Sequence, residues 1–468
     1  MLNFENLRDL MSFIKKEEIK QVDLKFTNLF GGLHHISVPA VHIEEKIFRE
    51  GIGFDRSSIP GFRGSNSSDM ILIPDINNAF IDPFCDVKTI SLFVRAYETH
   101  DRSPFLLDPR HIAERTERLL ASKDFANSSF WGPEYEFYVF KYVSFKNAEN
   151  ISYYEIDAEE AYWNSMPESG TRSDGYVIGK GNGYHAIPPM DKLFEFRSNL
   201  MVLLENAGIE IKYHHHEGGS AGQIEFEVPF ETLLNSADKG QIIKYFAKVL
   251  ASKSGLTATF MPKPLYNEAG NGMHFHQFLT KDGKNVFSSE DKSLFNISTL
   301  ALNYIGGILI HSDSLLGVTN PSTNSYKRLV KGFEAPVSAF YSVANRSAAI
   351  RIPGYATDSE EKRIEFRPSD STGNIYLTES AMLLAGIDGI EKHIDPHERG
   401  FDNEENSKML PTSLSEALSA LESDREYLEK DGIFNEDFFR IWIENKRKDD
   451  IEIKRRVHPY EIELYYNC

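Results

Sequence analysis

Several short apolar runs of this chain carry ionisable residues at every second position. In Trp131–Phe140, Glu134 and Glu136 alternate with Tyr135, Phe137 and Val139. A run of aromatic and β-branched residues reads as a strand, and strand side chains alternate faces, so the two glutamates share one side. Burying two neighbouring carboxylates is costly unless a cation neutralises them. The pattern recurs. In Gln223–Val228, Glu225 and Glu227 oppose Ile224, Phe226 and Val228. In Met273–Gln277, His274 and His276 share a face. In Arg363–Arg367, the charged Arg363, Glu365 and Arg367 oppose Ile364 and Phe366, and in Ala349–Ile352, Arg351 opposes two isoleucines.

A single charged strand face is ordinarily just the wet side of an antiparallel sheet. Recurrence argues for a site. Carboxylates with one imidazole suit a divalent ion of the magnesium or manganese type, which makes Glu134, Glu136, Glu217, Glu225, His274 and Glu365 candidate ligands. Arginines suit phosphates through their planar fork of donors. Metal and arginine together point to phosphoryl transfer from a nucleotide. No GxxxxGK[ST] loop occurs, so the nucleotide site is not of the P-loop kind. His214–Glu217 has the ordinary reading of an exposed polar turn, and at most one of its three histidines can face a given ion. Asn320–Arg328 reads as a turn leading into a helix, and Glu334 as a surface charge on a loop.

The elements that must hold these residues form an α+β chain. Leu7–Lys16 reads as an amphipathic helix, and Val22–Phe26 and Ile90–Ala96 as strands. Gly51–Phe62, rich in glycine and serine, reads as a loop. Ser103–Pro109 is a turn-rich boundary, followed by a helix over Arg110–Ser122. Asp402–Lys408 reads as a polar loop, and Ser413–Arg456 as helical. The chain has 468 residues, 41% of them hydrophobic, enough for two domains. Its net charge of −19 argues against nucleic acid as the main partner. No apolar run is long enough to span a membrane and no signal sequence is evident. The two cysteines indicate no disulfide framework, so the expected location is the cytoplasm.

In order along the chain, these blocks resemble type I glutamine synthetases over nearly the whole length. They are Phe54–Ser58 with Ser68–Met70 and Pro74–Asp75, Gly132–Phe137, His215–Glu217 with Ala221–Glu225, and Gly272–His276. Asn320–Arg328 with Gly332–Pro336 follows, then Asn345–Ala348, Ile350–Pro353 and Arg363–Arg367. The resemblance implies a small N-terminal β-grasp-like domain, residues 1–103, and a large catalytic domain, residues 104–468, on a curved antiparallel sheet flanked by helices. It implies an ATP-dependent ligase that phosphorylates the side-chain carboxylate of L-glutamate and lets ammonia displace the phosphate. It places one Mg²⁺ or Mn²⁺ on Glu136, Glu217 and Glu225 and another on Glu134, His274 and Glu365. Nucleotide contacts would come from His276, Arg346, Arg351 and Arg363, with Arg346 also catalytic. Substrate contacts would come from Ser58, Tyr184, Gly270, Arg328 and Arg367. Asp55 and Glu334 would bind and deprotonate ammonium. The implied assembly is a homododecamer of two hexameric rings, with active sites between subunits.

Some positions depart from the family. Arg56 replaces a glycine beside the ammonium site, where it is expected to alter the loop or repel a cation. Ala269 replaces an asparagine near the glutamate, Phe278 a serine near the nucleotide, and Lys212 a glutamate. Asp402–Leu410 contains no tyrosine, so control by tyrosine adenylylation is not expected. The alternatives are a γ-glutamyl ligase for a larger amine and a non-catalytic structural relative. Retention of all six metal candidates argues against the latter.

Overall fold

A computed structural model describes residues 1–62, 68–165, 175–290 and 295–468. The chain opens with α1 (Leu7–Lys16), whose N-cap Asn6 accepts a hydrogen bond from the amide of Asp9. The N-terminal sheet is built from β1 (Gln21–Thr27), β2 (Leu33–Pro39), β3 (Ile52–Asp55), β4 (Asp69–Pro74), β5 (Phe80–Ile81) and β6 (Thr89–Glu98). Its order is β2-β1-β6-β4-β3, with β5 beside β6, and β1 and β6 run parallel. It is a β-grasp sheet, and α2 (Glu45–Glu50) packs against β4. The Gly51–Phe62 segment is not simply a loop. Residues 52–55 pair with Leu72 to Asp69 of β4 and a 3₁₀ turn follows over Arg56–Ser58, because the apolar β4 supplies a ladder that a local reading cannot foresee.

After α3 (Pro109–Ala121), capped by Asp108 and opened by a proline, the chain builds a large curved sheet. Its strands are β7 (Ser128–Phe140), β10 (Tyr213–His216), β11 (Gln223–Glu227), β12 (Glu231–Thr232), β13 (Thr257–Thr259), β14 (Phe275–Lys281), β15 (Lys284–Asn285), β16 (Ser338–Val343), β17 (Ala348–Ile352) and β18 (Ile364–Phe366). The main order is β10-β11-β7-β14-β18-β17-β16, antiparallel except for β16 with β17. A separate hairpin joins β8 (Tyr142–Ala148) to β9 (Ile151–Asp157).

Around the sheet stand α4 (Phe194–Asn206), α5 (Leu233–Lys253), α6 (Thr299–Ile310), α7 (Ser312–Thr319), the one-turn α8 (Ser325–Arg328) and α9 (Ile375–Glu391). One large hydrophobic core runs through both parts, with Trp131, Tyr135, Phe137, Tyr304 and Tyr376 fully buried, and a smaller cluster gathers around Tyr138 and Phe140. Arg110 of α3 ties the two parts together, reaching Asp75 after β4 at 2.9 Å and Asp238 of α5 at 2.7 Å. The C-terminal region is three helices rather than one helical stretch: α10 (Leu414–Ser423), α11 (Glu436–Lys454) and α12 (Pro459–Tyr465). Asp424, with non-helical dihedrals (φ −132°, ψ 78°), ends α10, and Asp431 adopts a left-handed φ of 49°. The polar Asp402–Lys408 segment contains a 3₁₀ turn at Glu404–Asn406. No described helix is long and apolar enough to cross a membrane.

Candidate active site

Register brings part of the predicted set to one face of the large sheet. His215 lies opposite Glu225 across β10–β11, and Glu225 opposite Glu136 across β11–β7. Farther along, His276 lies opposite Glu365, and Glu365 opposite Arg351. The histidines are therefore not an exposed turn. Strand β10 is drawn into the sheet by β11, and alternation turns His215 alone of the three toward Glu225.

Two groups of side chains offer ligand atoms within 4.8 Å of one another: Glu134, His276 and Glu365, and His215, Glu217 and Glu225. In the first, Glu134 is held by both histidines, His274 Nδ1 at 2.7 Å and His276 Nε2 at 2.8 Å. Arg328 Nη2 faces His274 Nε2 at 3.2 Å and Arg363 Nε faces His276 Nδ1 at 3.4 Å. Arginine only donates, so each ring donates to Glu134 from its other nitrogen. Burial opposes the Glu134 charge, but these bonds outweigh it and hold the carboxyl well below its usual range. His274 Nδ1 also lies 3.7 Å from Glu365 Oε1, and its Nε2 lies 3.8 Å from Glu136 Oε1, so it stands between the two groups. Arg351 Nη1 reaches Glu365 Oε2 at 2.6 Å, and Arg367 bonds the other oxygen.

The second group differs electrostatically. Among the described residues, no lysine or arginine lies within ion-pair distance of Glu136, Glu217 or Glu225. Burial, then Glu225 and Glu136, push the Glu217 carboxyl well above its usual range. Burial, then Glu134 and Glu136, do the same to Glu225. Glu217 Oε2 is buried without a hydrogen-bond partner. Buried carboxylates gathered with an orphaned oxygen are the donor set of a divalent cation, so the residues fit a metal.

Glycines make room for the arginine that spans the floor. A Cβ on Gly270 would meet Arg328 Cγ at 2.8 Å, and one on Gly272 would meet Arg328 Nη2 at 2.5 Å. Arg328 is anchored to the carbonyls of Pro368 (2.8 Å), Ser369 (3.2 Å) and Arg367 (3.1 Å). At the mouth, Arg346 lies over the Tyr184 ring at 5.7 Å and 3.8 Å from Glu334 Oε2. Glu334 sits at a left-handed φ of 58°.

Asp55 and Ser58 are exposed on the N-terminal sheet. Asp55 bonds Ser57 N (2.8 Å) and Ser57 Oγ (2.9 Å), and no hydrogen bond among the described residues carries either Asp55 or Ser58 to the glutamates. Arg56 overturns its expectation. It is buried, its Nη1 meets Glu98 Oε1 at 3.1 Å, and its guanidinium lies over Phe105 at 5.3 Å. Its charge is neutralised behind the loop. Lys212 likewise pairs with Glu227 at 2.5 Å. Phe278 stacks on Phe130 with centroids 5.2 Å apart. Sequence reasoning did not single out Gln223, whose Nε2 binds Gly270 O and Asn271 Oδ1, each at 3.0 Å, or Tyr138, whose hydroxyl donates to Ala269 O at 2.7 Å. Their polar tips on an otherwise apolar strand pair were the available signal.

Residues 18–99 match the model of the glutamine synthetase β-grasp domain, and residues 106–465 that of the glutamine synthetase catalytic domain. The chain belongs to the glutamine synthetase family. It is 43% identical over 471 residues to the glutamine synthetase of Mycolicibacterium smegmatis, covering 98% of each chain. It is 42% identical over 469 residues to that of Aquifex aeolicus, again covering 98% of each. The cryo-EM structure of Plasmodium falciparum glutamine synthetase, 27% identical, superposes with a TM-score of 0.92 over 99% of both chains. Ligand-free GmaS, 26% identical, superposes at 0.80 over 99% of this chain and 100% of that one. As a member of this family the chain is an ATP-dependent carbon–nitrogen ligase that works with divalent metal.

Proposed function

We propose that this enzyme joins ammonia to L-glutamate, using ATP to make glutamine through a γ-glutamyl phosphate. The observation that carries the reading is the pair of acidic groups on one sheet face with Arg351, Arg363, Arg328 and Arg367 beside them. Glu136, Glu217 and Glu225, joined by His215, would hold one Mg²⁺ or Mn²⁺. Glu134, Glu365 and the histidine pair would hold another. Bound there, the ions supply positive charge to the phosphates and to the carboxylate being activated.

The protein's own groups do the rest. Arg346, Arg351 and Arg363 bind the nucleotide phosphates, with His276 bonded to Arg363 behind them. Arg328 and Arg367 hold the glutamate, with Tyr184 and the backbone at Gly270. A carboxylate oxygen leaves poorly until it carries a phosphoryl group, and ammonia then displaces phosphate. Asp55 and Glu334 attract ammonium and accept its proton.

Exposure of Asp55 and Ser58, without a bond to the glutamates of their own chain, supports service in a neighbouring subunit's site. The hairpin β8–β9 exposes Phe145 and Tyr154, and α12 exposes Ile462, Leu464 and Tyr465. Such apolar surface supports an oligomer, for which a dodecamer of two rings is the reading. The two free cysteines suit the cytoplasm. Phosphate release from ATP and glutamate, measured with ammonium, methylamine and a polyamine, tests this reading. Turnover with ammonium is expected; turnover only with a larger amine would replace it with the γ-glutamylamine reading.

A further inference from the structure

Away from these glutamates, a cavity of about 410 Å³ lies between the N-terminal sheet and α5. That is enough for a small metabolite. Its sheet side is electrically satisfied. Asp23 takes Lys25 Nζ (2.5 Å), His35 Nδ1 (2.7 Å) and Ser37 Oγ (2.5 Å). Asp82 takes the Tyr245 hydroxyl at 2.9 Å and has Lys25 Nζ at 3.7 Å. Its helix side is not. Lys244 and Lys248 stand one turn apart on α5, each 5.8 Å from the Phe260 ring. Among the described residues neither has a carboxylate within ion-pair distance, although the chain carries a net charge of −19. Among the described residues, Lys244 Nζ donates to the carbonyl of Ser371, at 2.7 Å, and to no other group.

We propose that this cavity is an effector site for a small anion, a phosphate or a carboxylate, held between Lys244 and Lys248. Two amines on one helix face, Lys244 half-buried and Lys248 at the solvent-exposed rim, have no ion-pair partner among the described residues and are walled by Tyr245 and Cys85, which leaves an anion as the partner the cavity suits. Burial and Lys248, opposed by Asp370, bring the Lys244 ammonium down to about 7, and an arriving anion restores its proton.

The site is wired to the catalytic face. The Ser371 carbonyl held by Lys244 lies two residues after the Ser369 carbonyl that anchors Arg328. An anion that draws Lys244 away releases the segment fixing the glutamate arginine. This coupling rests on the proposed reaction; the binding itself does not.

Calorimetry on the full-length assembled enzyme, titrated separately with inorganic phosphate and with succinate, tests the site without turnover. At least one is expected to bind beyond its active-site stoichiometry. Phosphate alone identifies a phosphate effector, and succinate alone a carboxylate effector. In Lys248→Gln, which leaves basal kcat unchanged, that binding weakens about tenfold, as expected for loss of one charge-assisted hydrogen bond. The anion shifts the glutamate KM of the wild type and not of the variant. Lys244→Met abolishes the binding. No additional binding, or binding equally strong in Lys248→Gln, would overturn the site. Lost binding in the variant without any KM shift in the wild type would overturn the coupling.

Discussion

Glu225 and Glu136 face each other directly across the β11–β7 ladder, both almost wholly buried. Like charges opposite one another destabilise a sheet by roughly 0.2–1 kcal/mol. The next pair along, Glu227 and Glu134, is answered by Lys212 and by two histidines, whereas among the described residues this pair has no lysine or arginine within ion-pair distance. Glu225→Gln is therefore expected to raise the unfolding midpoint of the EDTA-treated enzyme at pH 8, by an increment on the order of 0.5–1 kcal/mol. It should lower turnover at least about a hundredfold, since bound metal supplies several kcal/mol. A variant less stable than wild type in EDTA would count against metal as the missing partner.

The raised carboxyls set a pH dependence. Glu217 and Glu225 titrate well above their ordinary 4.5 in the metal-free fold, so the folded state holds more protons than the unfolded chain at mildly acidic pH. Metal-free stability then falls as pH rises above about 4.5 toward their folded values. Glu134 and Glu365 are shifted the other way, and their contribution is lost only in acid. Metal displaces the protons on Glu217 and Glu225. The stabilisation produced by saturating Mg²⁺ should thus grow between about pH 5 and pH 8. Thermal unfolding with and without Mg²⁺ across that range checks it, and a flat increment would refute the coupling.

The strand faces were legible because period two is local: Glu134, Glu225, His276 and Glu365 each oppose apolar neighbours within a few residues. Register was not. Nothing near Glu225 in sequence indicates that Glu136 or His215 will stand opposite it, so the entry of His215 into the cluster emerges only from the fold. The same limit hid β3, whose ladder comes from β4, and the α5 cavity, where Lys244 and Lys248 look like an ordinary solvated pair until the sheet of residues 21–98 forms the opposite wall, half-burying Lys244 and leaving Lys248 at the rim. Arg56 was misread for a related reason. Its charge is cancelled by Glu98, 42 positions away.

His311, between α6 and α7, makes a second pH-sensitive element. Nε2 lies 3.0 Å from Asp388 and Nδ1 2.9 Å from Asp424, and the ring stacks on Tyr427 at 4.0 Å. Burial lowers its pKa, but bonds to Asp388 and Asp424 outweigh that and raise it above 6.5. Its stabilisation is complete below 6.5 and lost as pH climbs through the folded value. His311→Asn should cost about 3 kcal/mol at pH 6, the lower end for breaking a buried pair, because Lys392 and Lys430 also serve Asp388. The cost should shrink at pH 9. Unfolding midpoints of both proteins at the two pH values decide it, and an equal cost at both would remove the charged imidazole from the account.

Arg56 tests which amine the site admits. A guanidinium a few ångströms from an incoming ammonium would repel it by about 1 kcal/mol in water and about 4 kcal/mol in a partly desolvated pocket. Removing it would then lower the ammonium KM about fivefold or more. The structure argues otherwise, because Arg56 is turned into the N-terminal sheet onto Glu98 and Phe105. Arg56→Gly, which introduces the glycine common in the family, is expected to leave the ammonium KM unchanged or higher, since the loop presenting Asp55 loses its anchor. Loss of a charged hydrogen bond and a cation–π contact should cost about 1–3 kcal/mol of stability. Steady-state kinetics with ammonium as the varied substrate, alongside a thermal melt, measure both. A lower KM in the variant would mean that the arginine does face the amine, and would strengthen the case for a larger, less charge-dependent acceptor.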